Sequence, residues 1–305
     1  MKAIRLPVIL VLLLSLVFTL CSCNVINFLL GRDDVPPSEG LAYTSYGDGT
    51  CYVSGIGHCI DKDVVIPQKS PKGDRVVGIG TDAFYNCDSL TSITMPDSIT
   101  SIGDGALRYC AMLTVITVPD SVISIGQGAF AGCASLVSVT MPDSVVSIGD
   151  GAFADCTALT KIEIPKSVKG INATLFKGCR SLTSVTLHDS VTGIGYSAFA
   201  GCTSLTSIDL PDSVAMLGEG AFAGCTSLTS VAIPASLKSI TKEAFKYCTS
   251  LTEITIPALV TSVDILAFLG CSSLTIYCEA ASQPSGWNAN WNNYGCPVVW
   301  GATAQ

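Results

Sequence analysis

The sequence predicts an α/β solenoid: a curved, right-handed array of about nine 23-residue coils, with a parallel β-sheet on the concave face and a cap at each end. Three observations predict it. Cys87, Cys110, Cys133, Cys156, Cys179, Cys202, Cys225, Cys248 and Cys271 follow one another at intervals of 23 residues, with no insertion or deletion. A fixed period of this length marks coils stacked on their neighbours. Eight apolar positions recur in phase with the cysteines; in one coil they are Leu205, Ile208, Leu210, Val214, Leu217, Ala221, Phe222 and Cys225. The third observation is uniformity of size: one column reads Phe84, Leu107, Phe130, Phe153, Phe176, Phe199, Phe222, Phe245, Phe268. Such columns describe an interior made by stacking, which tolerates little change in side-chain volume.

The chain begins with Lys2 and Arg5, then an apolar run from Leu6 to Leu20, the layout of an export signal. Leu20-Cys21-Ser22-Cys23 follows, the pattern of a bacterial lipoprotein cleavage site. Residues 1–22 read as the signal, and Cys23 as the lipidated first residue of the mature chain, held in a membrane by its acyl chains. An uncleaved helix is the alternative, since Leu6 to Leu30 carries no charge. Residues 23–40 read as a polar, proline-containing tether, flexible from Gly31 to Gly40.

Residues 41–78 read as an N-terminal cap and atypical first coil. The strand-like Asp63-Val64-Val65-Ile66-Pro67 is separated from Ile79 by a longer segment than later coils use. In the array, 79–273, each coil opens with L-x-x-I-x-I, read as one short strand. Proline closes it at Pro96, Pro119, Pro142, Pro165, Pro211, Pro234 and Pro257, having no N–H for a ladder. Gly103, Gly126, Gly149, Gly195 and Gly218 share a column with Asn172 and Asp264, which reads as a left-handed turn position, with Thr241 as an exception. The A-F-x-x-C segment reads as an irregular or helical turn. Residues 274–305 hold Trp287, Trp291 and Trp300 and read as the C-terminal cap.

These residues resemble the BspA-like, or Treponema-type, leucine-rich repeats, whose pattern L-x-x-I-x-I-P-x-x-V-x-x-I-G-x-x-A-F-x-x-C runs over 79–273. The resemblance implies a curved solenoid in a secreted or surface-attached protein of a host-associated bacterium. It also implies attachment to extracellular-matrix or cell-surface proteins, and it brings no catalytic residues. Departures are His188 in the proline column, Leu107 for Phe and Leu175 for Ala.

Composition narrows the partners. The net charge is −8, and without 1–22 the chain keeps 14 basic against 24 acidic residues. An acidic surface disfavours nucleic acid. No phosphate loop, zinc motif or G-x-S-x-G nucleophile pattern occurs, so the reading is a binding protein without enzyme chemistry or cofactor. The cysteine column reads as buried thiols, because stacked side chains point the same way instead of at each other. Cys51 with Cys59, and Cys278 with Cys296, lie outside it and could form cap disulfides in an exported protein. Outward strand positions are the binding candidates: Lys161, Glu163, Ser184, Thr186, Ser207, Asp209, Glu253 and Thr255. The expected partner is a host-surface or matrix protein held on this face of a membrane-anchored lipoprotein, at the cell surface or outer membrane. A scaffold binding another envelope protein is the competing reading.

Overall fold

The computed structural model describes residues 36–303. The expected signal, the lipidation at Cys23 and most of the tether lie outside the described residues. No helix occurs among the described residues, and none is long and apolar enough to cross a membrane.

Each coil except the last two carries two short strands where the sequence suggests one. The first is the expected L-x-x-I segment: β3 (Asp63–Val65), β5 (Ser92–Thr94), β7 (Val115–Thr117), β9 (Ser138–Thr140), β11 (Lys161–Glu163), β13 (Ser184–Thr186), β15 (Ser207–Ile208), β17 (Ser230–Val231), β19 (Glu253–Ile256), β21 (Thr275–Cys278) and β22 (Val298–Trp300). The second lies between the proline and the glycine: β2 (Thr50–Gly55), β4 (Arg75–Ile79), β6 (Ser101–Ile102), β8 (Ser124–Ile125), β10 (Ser147–Ile148), β12 (Gly170–Ile171), β14 (Gly193–Ile194), β16 (Met216–Leu217), β18 (Ser239–Ile240) and β20 (Ser262–Val263). β1 (Ala42–Ser45) pairs antiparallel with β2 and covers the first edge.

The first column counts eleven rungs, against the expected nine. Eight of the eleven strands lie within 79–273, and three lie at the ends. β3 sits inside the atypical first coil, and β21 and β22 extend the sheet into the segment read as a cap. Glu253 faces Thr275 and Ile276 faces Val298, both 22 residues apart, so one residue lost after Leu274 hides these rungs from a 23-residue period. The end of the tether is docked: Ser38 N donates to Val65 O at 2.9 Å, and Val65 N donates back to Ser38 Oγ at 3.0 Å.

The A-F-x-x-C segment is a hydrogen-bonded turn without helix. Two residues per segment, four apart, take a left-handed conformation, as at Gly128 (φ 59°) and Gly132 (φ 73°), or Asp82 (φ 51°) and Asn86 (φ 57°). That conformation interrupts a right-handed helix. Its N–H groups turn to the next coil instead: Phe84 N donates to Ala106 O and Phe130 N to Ala152 O, both at 2.8 Å. The segment is thus a third ladder along the stack.

The Ile-Gly glycines need correction. Gly103, Gly126, Gly149, Gly195 and Gly218 are not left-handed; the positive-φ columns are the two just described. Their constraint is space. A Cβ on Gly103 would stand 2.8 Å from Gly80 C and 2.8 Å from Thr81 N of the coil below. Missing side chains let Gly103 N and Gly126 N reach Ile79 O and Ile102 O at 2.8 Å. Asn172 and Thr241 carry a Cβ in this column, and neither N–H makes the equivalent bond. Asn172 Nδ2 donates to Ile148 O at 2.6 Å in its place. The second sheet is interrupted at these two places, between β10 and β12 and between β16 and β18. Asp264 keeps its bond to Ile240 O at 2.9 Å, which nothing in the structure explains. Gly103→Ala is expected to cost about 2–4 kcal/mol, from overpacking plus a lost ladder bond. Gly128→Ala, whose Cβ would make only ordinary contacts, should cost about 1 kcal/mol through φ alone. Paired thermal melts check this; equal losses would show that close approach is not the constraint at Gly103.

The interior matches the eight apolar columns. From Phe130 to Phe268 the rings stack at 5.3–5.8 Å with interplanar angles of 3–17°. Phe268 meets Trp291 edge-on at 6.3 Å, and Trp287 and Trp291 are buried beside it, so the tryptophans close the stack. In the first column hydrogen-bonded pairing runs mostly two by two, as in β7–β9, β11–β13 and β15–β17. Val137 N reaches Thr114 O at 2.8 Å within a pair, and Thr160 N reaches Val137 O at 3.4 Å between pairs.

Candidate binding surface

Alternation along the first strands buries Ile162, Val185, Ile208 and Ile254 and turns their neighbours outward. Lys161, Glu163, Ser184, Thr186, Ser207, Asp209 and Glu253 are exposed, and Thr255 is half-buried. β11 and β13 pair in register, with Lys161 beside Ser184 and Glu163 beside Thr186. Ser207 and Asp209 occupy the next rung. Glu253 and Thr255 lie two rungs beyond, beside Thr275 and Tyr277. The eight residues therefore form one strip, roughly 19 Å long at ~4.8 Å per rung. Charge sits at its two ends and at Asp209 on the middle rung, with small hydroxyls between.

His188, which replaces proline, finds a partner here: its Nε2 lies 3.5 Å from Glu163 Oε1. The neighbouring P-D-S turns bond within the scaffold. Asp143 Oδ1 accepts from Lys166 N at 2.9 Å, and Ser144 Oγ donates to Val122 O at 2.9 Å. No cluster of metal-ligating side chains occurs among the described residues.

The thiols have a structural role that composition alone does not reveal. Each buried cysteine of the 23-residue column donates to the carbonyl of the residue 26 positions earlier: Cys156 to Phe130 O, Cys179 to Phe153 O and Cys202 to Phe176 O, all at 3.1 Å. A small apolar side chain with a weak donor suits that position. Burial pushes Cys133 and Cys202 up to about 12. Cys87, half-buried at the start of the column, is shifted the other way by the Cys110 thiol beside it. Alkylation of the native protein near pH 8 should therefore label Cys87 well before Cys133, Cys156 or Cys202. Peptide mapping checks this, and equal labelling of the column would contradict its burial.

All thirteen described cysteines are free thiols. Cys51 is buried, with Sγ 3.7 Å from Asp74 O, and Cys59 is half-buried. Cys278 lies in β21 between Ile256 and Trp300, in the column of strand isoleucines. Cys296 instead tops the cysteine column, with Sγ 3.7 Å from Cys271 O.

A second outward face belongs to the second strand, which the sequence does not reveal. It carries exposed Ile123, Val146 and Met216, and the exposed cations Lys169 and Lys238. On the turn side Tyr85 and Tyr109 meet edge-on at 5.7 Å, with the Arg108 guanidinium 4.9 Å from the Tyr109 ring centre.

The family described as the BspA type leucine rich repeat region matches residues 77–202 and 169–282, in six copies. The chain belongs to this family. As a BspA-type array it shares its fold with a leucine-rich cell surface protein of Faecalibacterium prausnitzii. That likeness covers 89% of this chain and all of the other, at TM-score 0.51 and 24% identity. A T. pallidum leucine-rich repeat protein is 31% identical over 56% of this chain and 90% of its own, at TM-score 0.47. No curated protein matches the sequence. Arrays of this kind are interaction modules that present extended binding surfaces.

Proposed function

We propose that the chain is an exported lipoprotein, anchored through Cys23, that holds a host-surface or matrix protein on the exposed face of its first strands. The observation that carries this reading is the strip from Lys161 to Thr255: a long, solvated, rigidly spaced row with charged ends. Hydroxyls in the middle offer hydrogen bonds at regular intervals, and Lys161, Glu163, Asp209 and Glu253 supply the specificity. No aromatic anchor stands among the eight, so each contact is weak and attachment relies on many copies at one surface.

The test uses residues 36–305 displayed on beads, applied to epithelial cells and to immobilised matrix proteins. Binding should exceed that of the variant with Lys161, Glu163, Asp209 and Glu253 all changed to alanine. Equal retention of the two proteins would reject the strip as the adhesive surface. Protease treatment of intact cells checks display: a chain that survives intact speaks for a partner inside the envelope.

A further inference from the structure

On the outer face of the second sheet one column is serine in most coils, at Ser101, Ser124, Ser147, Ser239 and Ser262. In mid-array it becomes Gly170 and Gly193. Two missing side chains on adjacent rungs, with the Met216 methyl lying over Gly193, leave a groove of about 520 Å³. Its floor continues through Gly195 and Gly218, and Asn172 and Thr241 stand at its ends. The ends are three rungs apart, roughly 14 Å at ~4.8 Å per rung. Met216, 66% exposed, and Lys169 line the groove.

Three features define what fits. Lys169 is exposed and has no ion-pair partner among the described residues, in a chain of net charge −8. It is a local cation that favours an acidic group. Thr241 Oγ1 is buried without a hydrogen-bond partner, and Thr241 lines the groove. A buried hydroxyl is normally satisfied, and a ligand can supply the missing bond. No aromatic side chain lines the groove, so the ring on which a sugar would stack is missing, whereas Met216 offers a soft wall to an apolar side chain.

We propose that this groove binds an extended acidic peptide segment of a partner protein, about four residues long at ~3.3 Å per residue. The carboxylate pairs with Lys169, an apolar side chain lies against Met216, and a polar backbone group meets Thr241. The site is on a different sheet from the Lys161–Thr255 strip and does not depend on it.

The test is a titration of the full chain carrying 13C-methyl methionine, following the Met216 signal among the five methionines. The probes are acetyl-Ala-Leu-Ala-Asp-amide, its lysine counterpart acetyl-Ala-Leu-Ala-Lys-amide, and sialyllactose as an acidic sugar. The aspartate peptide should move the signal and bind about two- to fivefold more tightly than the lysine peptide, the range of one exposed charge pair. Lys169→Glu should reverse that order. Gly170→Leu should abolish saturation without changing the melt, because a Cβ there meets nothing nearer than Gly193 O at 3.7 Å. If that variant melts early, Lys169→Glu alone decides. An unmoved Met216 signal, an unchanged titration in a folded Gly170→Leu, an unreversed order in Lys169→Glu, or a response to sialyllactose alone would each overturn the proposal.

Discussion

Raising the pH from 8 to 10 is expected to destabilise the array strongly. Six of the buried thiols, Cys133, Cys156, Cys179, Cys202, Cys225 and Cys248, ionise near 9.0 when exposed, and burial raises every one of them in the folded chain. The unfolded chain therefore releases protons that the folded chain keeps. This contribution is fully present below pH 9 and is lost as pH rises toward the folded-state values. Each thiol costs about 1.4 kcal/mol per pH unit above 9. Six of them together remove roughly 8 kcal/mol by pH 10, comparable with the whole stability of an ordinary domain. Urea titrations at successive pH values check this. Cys179→Ala should reduce the slope above pH 9 by one proton, and a stability that stays flat between pH 8 and 10 would show that the thiols are not held protonated.

Phe199→Ala is expected to lower stability by about 3–5 kcal/mol. Phe199 is fully buried between Phe176 at 5.5 Å and Phe222 at 5.3 Å. The truncation removes both stacking contacts and leaves a cavity that rigid neighbouring rungs cannot close. Phe199→Leu should cost much less, since Leu107 already occupies this column in another coil and is itself buried. Because each coil touches only its neighbours, the damage should concentrate locally. Limited proteolysis of Phe199→Ala should cut near coils 182–227 before elsewhere. A melt unchanged by the alanine would mean that the phenylalanine column contributes little to the stack.

Side-chain columns were legible in the sequence because a fixed period repeats the same volume at the same place. Phe, Cys and Leu positions all follow from that, and so does the outward row from Lys161 to Thr255. Backbone geometry was less legible. The glycines after isoleucine and those of the turn look alike as letters, yet Gly103 answers to crowding and Gly128 to its φ angle. The second strand is two residues long, too short to show alternation. Without it, Lys169, Met216 and the paired glycines Gly170 and Gly193 have no common face. The terminal rungs were hidden by a single missing residue after Leu274.

Where coil 138–160 meets coil 161–183, neither sheet is continuous: β9 is not bonded to β11, nor β10 to β12. The coils there are joined by the turn ladder, as in Gly151 N to Ala173 O at 2.9 Å, by bonds involving side chains such as Lys166 N to Asp143 Oδ1 at 2.9 Å and Asn172 Nδ2 to Ile148 O at 2.6 Å, and by packed interiors. A pull along the long axis is expected to open this seam first, because both strand ladders break there. If the chain is anchored and held through the strip as proposed, the seam would act as a mechanical fuse, yielding under shear before the outer blocks lose their shape.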